Sequence, residues 1–246
     1  MSPEALTSPD DPRLDGWYHT IELAPGVVTR GVYDHRSVLD RYSFPEDLTG
    51  QRVLDVGPAN GYFSFELERR GADVVAMDLP GDEAADWVPT VPRRHGLTRH
   101  RPLFELAHAT LGSAVEYRRG SIYELDVARH GVFDLVFCGS LLLHLMHPMQ
   151  ALLALRSVTR GMLILETAID PSLADARPGE PVVRFGARGV EEANGEPIGS
   201  RRTYWWFTPA ALAEMLAHAG FRDVEIREPF ALPPTGLPVA VAHARP

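Results

Sequence analysis

The chain has 246 residues, 45% of them hydrophobic, and a formal net charge of −9, which fits globular structure with a full core. The negative balance argues against nucleic acid as the main partner, because phosphate contacts need a cationic face. All 24 cationic side chains are arginine, which excludes Schiff-base and phosphate-loop lysine chemistry, and the lone Cys138 excludes an internal disulfide or a multi-cysteine zinc site.

Residues 1 to about 15 form a polar arm without the apolar core of a secretion signal, and no stretch approaches 18 apolar residues, so a cytoplasmic location with no membrane contact is expected. Trp17 to Arg41 mixes rings with polar side chains. It reads either as a cap facing a substrate or as an extension packed on the sheet edge, and residues 1–45 are set apart from a 46–246 domain.

The core pattern begins at Arg52. A strand over 52–57 leads to a helix from Tyr62 to Arg70, closed by Gly71, and a second strand over 73–78. Prolines and glycines mark an insertion near 80–101, where Arg93, Arg94, Arg99 and Arg101 read as solvated charge or, alternatively, as a local basic patch. A helix over 101–111, a strand over 114–118 and a strand from Phe133 to Cys138, unbroken in apolar character apart from its leading Asp134, follow; the last is the type covered on both faces. A helix over 148–158 and a strand over 162–167 come next. Residues 171–203 form a second proline-, glycine- and charge-rich insertion. Thr208-Pro209 opens a helix through His218, and strands near 222–228 and 237–243 end the pattern. Strands alternating with helices give an α/β fold, a doubly wound Rossmann-like sheet that is mostly parallel with an antiparallel final strand.

The most informative stretch is Arg-Val-Leu-Asp-Val-Gly-Pro-Ala-Asn-Gly-Tyr-Phe at 52–63, with Asp78 lying 23 residues beyond Asp55. A turn with little side-chain bulk, then an acid at the next strand tip, is what a nucleoside-binding βαβ unit requires. The dinucleotide pattern G-x-G-x-x-G fails here, since Ala59 stands two residues after Gly57, where the second glycine would. A carboxylate at Asp55 repels a pyrophosphate and suits a ligand carrying a sulfonium and an ammonium, which points to S-adenosylmethionine.

Together these residues resemble the class I S-adenosylmethionine-dependent methyltransferases over roughly residues 17 to 243. Leu-Asp-Val-Gly-Pro-Ala-Asn-Gly at 54–61 is similar to the first family signature, and Val-Val-Ala-Met-Asp ending at Asp78 to the ribose-binding acid. Gly-Ser-Ile-Tyr-Glu-Leu at 120–125 resembles the segment beside the adenine, with Ser121 where an acid is common. Residues 133–144 resemble the fourth strand and the turn facing the methyl donor. Within the superfamily, Trp17, His19, Thr29 and Gly31, the Leu-Leu-Leu-His at 141–144 and the Trp205-Trp206 pair resemble bacterial enzymes related to wobble-uridine carboxymethyl transfer. This chain lacks the basic extension of those enzymes.

The resemblance implies a donor site built from Asp55, Gly57, Pro58, Asn60, Gly61, Asp78, Leu79, Ser121, Ile122, Cys138, Gly139 and Ser140. His144 and His19 are the candidate catalytic groups, and for His144 a purely structural role is weighed beside that of a base. Tyr18, Tyr204, Trp205 and Trp206 are candidate substrate contacts, with core packing as the alternative for the Trp pair. The spacing of His144 and His147 does not make a metal site, because Pro148 follows and no third ligand is evident. Methyl transfer to an oxygen or nitrogen of a small natural-product-type molecule is the leading expectation. RNA modification and a fold repurposed for other chemistry, such as cyclisation, are the alternatives.

Overall fold

Parallel strands buried on both faces need helices above and below, and this chain supplies them in alternation. The computed structural model describes residues 5–81, 84–86, 100–186, 190–193, 196–198 and 203–246. Much of the expected insertion at 80–101, including Arg93, Arg94 and Arg99, lies outside the described residues, as does part of 171–203.

The central sheet contains β1 (Arg52–Val56), β2 (Asp73–Asp78), β3 (Glu116–Arg119), β4 (Phe133–Gly139), β5 (Thr159–Ala168), β6 (Arg222–Ile226), β7 (Phe230–Leu232) and β8 (Leu237–Arg245). Its order is β6-β8-β5-β4-β1-β2-β3, with β7 paired to β8. Strands β1 to β5 pair in parallel, and β8 runs antiparallel to β5, β6 and β7. The antiparallel final strand expected from the sequence is therefore present, inserted between β5 and β6.

The helices are α1 (Tyr62–Arg69), α2 (His100–Leu111), α3 (Val127–His130), α4 (Pro148–Val158), α5 (Pro171–Ala176) and α6 (Pro209–His218). Alternation along the strands sorts their side chains into two cores. Leu54, Val56, Val136, Cys138, Leu163 and Leu165 face α4 and α6. Val53, Leu135, Phe137, Ile164 and Val241 face α1, α2 and the amino-terminal residues. Leu6, Leu14, Trp17, Ile21, Leu23 and Val27 belong to this second core, so the amino-terminal segment packs on the sheet face through α1 and α2.

That packing leaves α1 no solvent face over most of its length. Tyr62 to Leu67 are all buried, and Glu66 is paired with Arg69 and with Arg70, the latter at 3.0 Å. In the second insertion, Val183–Phe185 pairs antiparallel with Trp205–Phe207, and Val190–Ala193 pairs with Glu196–Ile198.

Candidate active site

The cavity lies beyond the carboxyl ends of β1, β2, β4 and β5, at the point where strand order reverses between β1 and β4, which is where open α/β sheets bind ligands. It has two lobes that share Gly57, Asp78, Leu141 and His144. The lobe over β2 and β3 is walled by Met77, Leu79, Gly120, Ser121, Ile122 and Tyr123, and closed by residues 84–86. The other lobe lies under the amino-terminal cap and is walled by Tyr18, His19, Tyr33, His35, Phe63 and Phe137, with His100, Gly139, Ser140, Glu166 and Leu232.

At the turn after β1, Gly57 has φ +78°, and a Cβ there would stand 3.2 Å from Leu141 Cδ2. The backbone can thus approach a ligand closely at this point, which is the cradle a nucleoside donor needs. Ala59 also lines the cap lobe and holds φ 49°, a left-handed conformation at the site of the commonest family glycine. Asp78 ends β2 at the waist between the lobes, and its Oδ1 accepts the Leu79 N–H at 2.8 Å.

Several predicted donor contacts sit behind the cavity rather than in it. Asp55 is 1% exposed, and its carboxylate accepts the Ser64 hydroxyl of α1 at 2.5 Å. Pro58 is buried with its carbonyl taken by the Gly61 N–H at 2.8 Å, and Gly61 is covered by the Phe65 and Phe104 rings. Asn60 is a tie: its Oδ1 accepts the Tyr18 N–H at 2.6 Å, and its Nδ2 donates to the His100 carbonyl at 3.3 Å. Cys138 is fully buried on the α4–α6 face, so strand alternation turns it away from the cavity and burial pushes its thiol up. Ser140 lines the cavity at φ 45°, but its hydroxyl is directed at Glu166. Gly57, Asp78, Leu79, Ser121, Ile122, Gly139 and Ser140 do face the cavity.

Of the predicted substrate contacts, Tyr18 lines the cap lobe, and the other three do not. The Tyr204 hydroxyl donates to the Asp86 carbonyl at 2.9 Å, the Trp205 indole N–H donates to the Leu145 carbonyl at 2.7 Å, and Trp206 packs with Leu143 and Ala168. They buttress the loop after β4 and the strap at residues 84–86. Asp86 completes this brace, accepting the Tyr123 hydroxyl at 2.5 Å and the Met146 N–H at 2.6 Å.

Both predicted catalytic histidines line the cavity, His144 at the junction of the lobes and His19 in the cap lobe. His19 is 5% exposed, and its Nδ1 is buried without a hydrogen-bond partner among the described residues. Burial, then the nearby His35 and His100, hold its pKa well below the usual imidazole value, so the ring is neutral near pH 7. His35 stacks against Tyr62 at 5.7 Å, accepts or donates to the Tyr42 hydroxyl at 2.9 Å, and is lowered by burial to about 4. Tyr33, His35, His100, Phe137 and Glu166 were not singled out in the sequence, since each comes from a different element and none carries a local motif.

Burial also raises two carboxyls to about 7, Asp55 and Glu166, against hydrogen bonds from Ser64 and Ser140 that lower them. A carboxyl whose folded pKa exceeds its unfolded value binds extra protons in the folded state between the two. It therefore lowers stability as pH rises through that window, by up to about 1.4 kcal/mol per pH unit for each group. The buried His19 and His35 act in the opposite sense, but only below the ordinary histidine pKa. Asp55→Asn should thus gain thermal stability relative to the parent at pH 8 and little at pH 5, read by paired melting curves. A gap that does not widen with pH contradicts the burial of an ionised Asp55.

The chain matches the methyltransferase-domain family over residues 32–226. Curated relatives include ubiquinone biosynthesis O-methyltransferases from Xanthomonas euvesicatoria pv. vesicatoria, 32% identical over 72% of this chain and 64% of that one, and from Xylella fastidiosa, 32% identical over 74% and 65%. A third, from Hahella chejuensis, is 36% identical over 46% of this chain and 40% of its own length. The chain therefore spans between 40% and 65% of the length of these relatives. Among solved structures, the N-terminal domain of EvdMO1 with SAH and D-fucose aligns over 94% of this chain and 92% of its own, with TM-score 0.61 and 23% identity. The 1,6-didemethyltoxoflavin-N1-methyltransferase of Burkholderia thailandensis aligns over 80% and 71%, with TM-score 0.53 and 20% identity. The sheet order, the glycine turn with its acid at the next strand tip, and the matched span together establish that the chain belongs to the class I S-adenosylmethionine-dependent methyltransferases.

Proposed function

We propose that this chain methylates an oxygen or nitrogen of a small molecule held under its amino-terminal cap. The observation that carries the reading is the cap lobe itself: a ring-lined chamber of Tyr18, Tyr33, Phe63 and Phe137 that opens onto the donor turn at Gly57. Rings on several sides favour a flat or apolar acceptor, and one wall shared with the donor lobe lets two ligands meet end to end. S-adenosylmethionine supplies an activated methyl carbon; the β2–β3 lobe would hold its nucleoside, with Asp78 at the ribose and Ser121 and Ile122 beside the base. His19, neutral and lining this lobe, is suited to contact the acceptor beside its heteroatom and fix its approach. His144, at the junction, is placed to shape the meeting point of the two ligands.

The named relatives act in ubiquinone biosynthesis, and one solved neighbour is an N1-methyltransferase; both support a small-molecule acceptor. RNA modification has in its favour the resemblance to the wobble-uridine enzymes, but the net charge of −9 opposes it. No helix among the described residues is long and apolar enough to cross a membrane. Incubation with labelled donor and an acceptor panel should release S-adenosylhomocysteine in step with methylated product. Conversion of an acceptor without that release would sink the reading in favour of other chemistry on the same fold. A complex with bulk transfer RNA that weakens as salt rises would favour RNA instead.

A further inference from the structure

Among the described residues Glu166 is the one buried carboxyl in the cavity wall, and no motif in the chain points to it. It is 0% exposed, in the central strand β5, flanked in register by Gly139 of β4 and Val241 of β8. Among the described residues its side chain receives hydrogen bonds from Ser140 alone, whose Oγ stands 2.9 Å from Oε1 and 3.1 Å from Oε2. Among the described residues the titratable groups whose charge it perturbs are Tyr33 and Tyr42 of the cap and Cys138 of β4, none of them a cation, while His19, His35, His100, His144, Tyr18 and Asp78 share its lobe.

A carboxyl so placed is a poor structural element. Removing it from water costs several kcal/mol unless a cation compensates, and the neighbouring inward positions are Ile164 and Val241. Its surroundings are instead arranged to bring it to the cavity. Oε2 is 3.6 Å from where a Cβ would sit on Gly139, so the absence of a side chain there keeps the wall thin. Ser140, partly exposed and held at φ 45°, lines the chamber beside the carboxyl and bonds to it.

We propose that Glu166, reached through the Ser140 hydroxyl, is the proton acceptor of the reaction, and that the methylated group is accordingly the hydroxyl of an alcohol or phenol. The inference rests on the methyl-transfer reading above. As the acceptor oxygen bonds to the methyl carbon, the carbon–sulfur bond breaks with its electron pair passing to sulfur. The hydroxyl proton moves to Ser140 Oγ while the proton of Ser140 moves to Glu166, which ends neutral. Burial lifts this carboxyl to about 7, which suits a base working near neutrality, whereas His19 is too weakly basic and acts as an orienting partner.

The test combines an optical titration with turnover. Infrared difference spectra of the ligand-free protein should show a protonated-carboxyl band growing as pH falls through about 7, with one component lost in Glu166→Gln and retained in Asp55→Asn. With S-adenosylmethionine and catechol, phenol, methyl glucoside and aniline as probes, the parent should release S-adenosylhomocysteine with the hydroxyl compounds. Glu166→Gln should lower kcat by about 100-fold and remove the acidic limb of the pH profile, with S-adenosylhomocysteine affinity by calorimetry changed by less than about twofold. Ser140→Ala should fall in the same direction. Glu166→Gln with parental kcat, a parent active only on aniline, or no band assignable to Glu166 overturns the proton-acceptor role alone. A parent that binds S-adenosylhomocysteine yet forms none from any probe overturns the methyl-transfer reading as well.

Discussion

Gly31→Ala is expected to abolish acceptor turnover while leaving the donor lobe able to bind. Gly31 lies in the short parallel pairing of Asp15–His19 with Arg30–Tyr33, opposite Trp17. A Cβ at this position would come within 2.2 Å of the His19 carbonyl carbon and 2.3 Å of the Thr20 nitrogen. Both are backbone atoms, so no rotamer change relieves the clash and the two segments must separate. The same crossing is tied by Thr29, whose hydroxyl donates to the His19 carbonyl at 2.8 Å and accepts the Ile21 N–H at 2.7 Å. Tyr18, His19, Tyr33 and His35 all hang from this crossing, and a displacement of about 1 Å in a positioned group costs on the order of 100-fold in rate. Loss of kcat/KM by at least that factor, with S-adenosylhomocysteine still bound in calorimetry, is the expected pair of results. Parental turnover would show that the cap does not hold the acceptor. The Trp-x-His and Thr-x-Gly residues noticed in the sequence thus have a joint structural meaning: they build and lock the cap.

Asp78→Ala should weaken donor affinity by about 100-fold. The carboxylate ends β2 at the waist between the lobes, and hydrogen bonds to a charged acceptor are worth about 1.5–3 kcal/mol each, near one to two decades of binding. Asp78→Asn keeps the shape and one acceptor oxygen and should recover part of the loss. Calorimetric titration with S-adenosylhomocysteine measures both, and an unchanged dissociation constant for the alanine variant would remove Asp78 from the ribose site.

The βαβ unit was legible because all its signals are local: an apolar run, a turn of small residues, a helix and a second run ending on an acid. What the sequence hides is which side of a doubly covered strand a residue takes. After its leading Asp134, the strand from Leu135 to Cys138 is apolar at every position, so nothing in that run tells that Phe137 and Gly139 face the cavity while Cys138 faces α4 and α6. The same uncertainty placed Asp55 at the ligand, whereas it stops at Ser64 of α1. Glu166 was passed over for the mirror-image reason, as the polar exception in a run of buried type. The Trp205-Trp206 pair carries the composition of a pocket wall, and only tertiary contacts with Leu145, Leu143 and Ala168 show it bracing a loop. His100 and Leu232 reach the chamber from segments far apart along the chain, where no spacing rule applies.

The packing of the chain's two ends has a practical corollary for anyone expressing it in pieces. A fragment trimmed to the family-matched span, 32–226, would lose Tyr18 and His19 and the Trp17 anchor beneath them. It would also forfeit β8, leaving β5 without the partner it bonds from Leu163 to Ala168 and β6 with nothing to adjoin. Such a piece would present raw strand edges and a stripped apolar face, a recipe for inclusion bodies rather than a minimal catalyst.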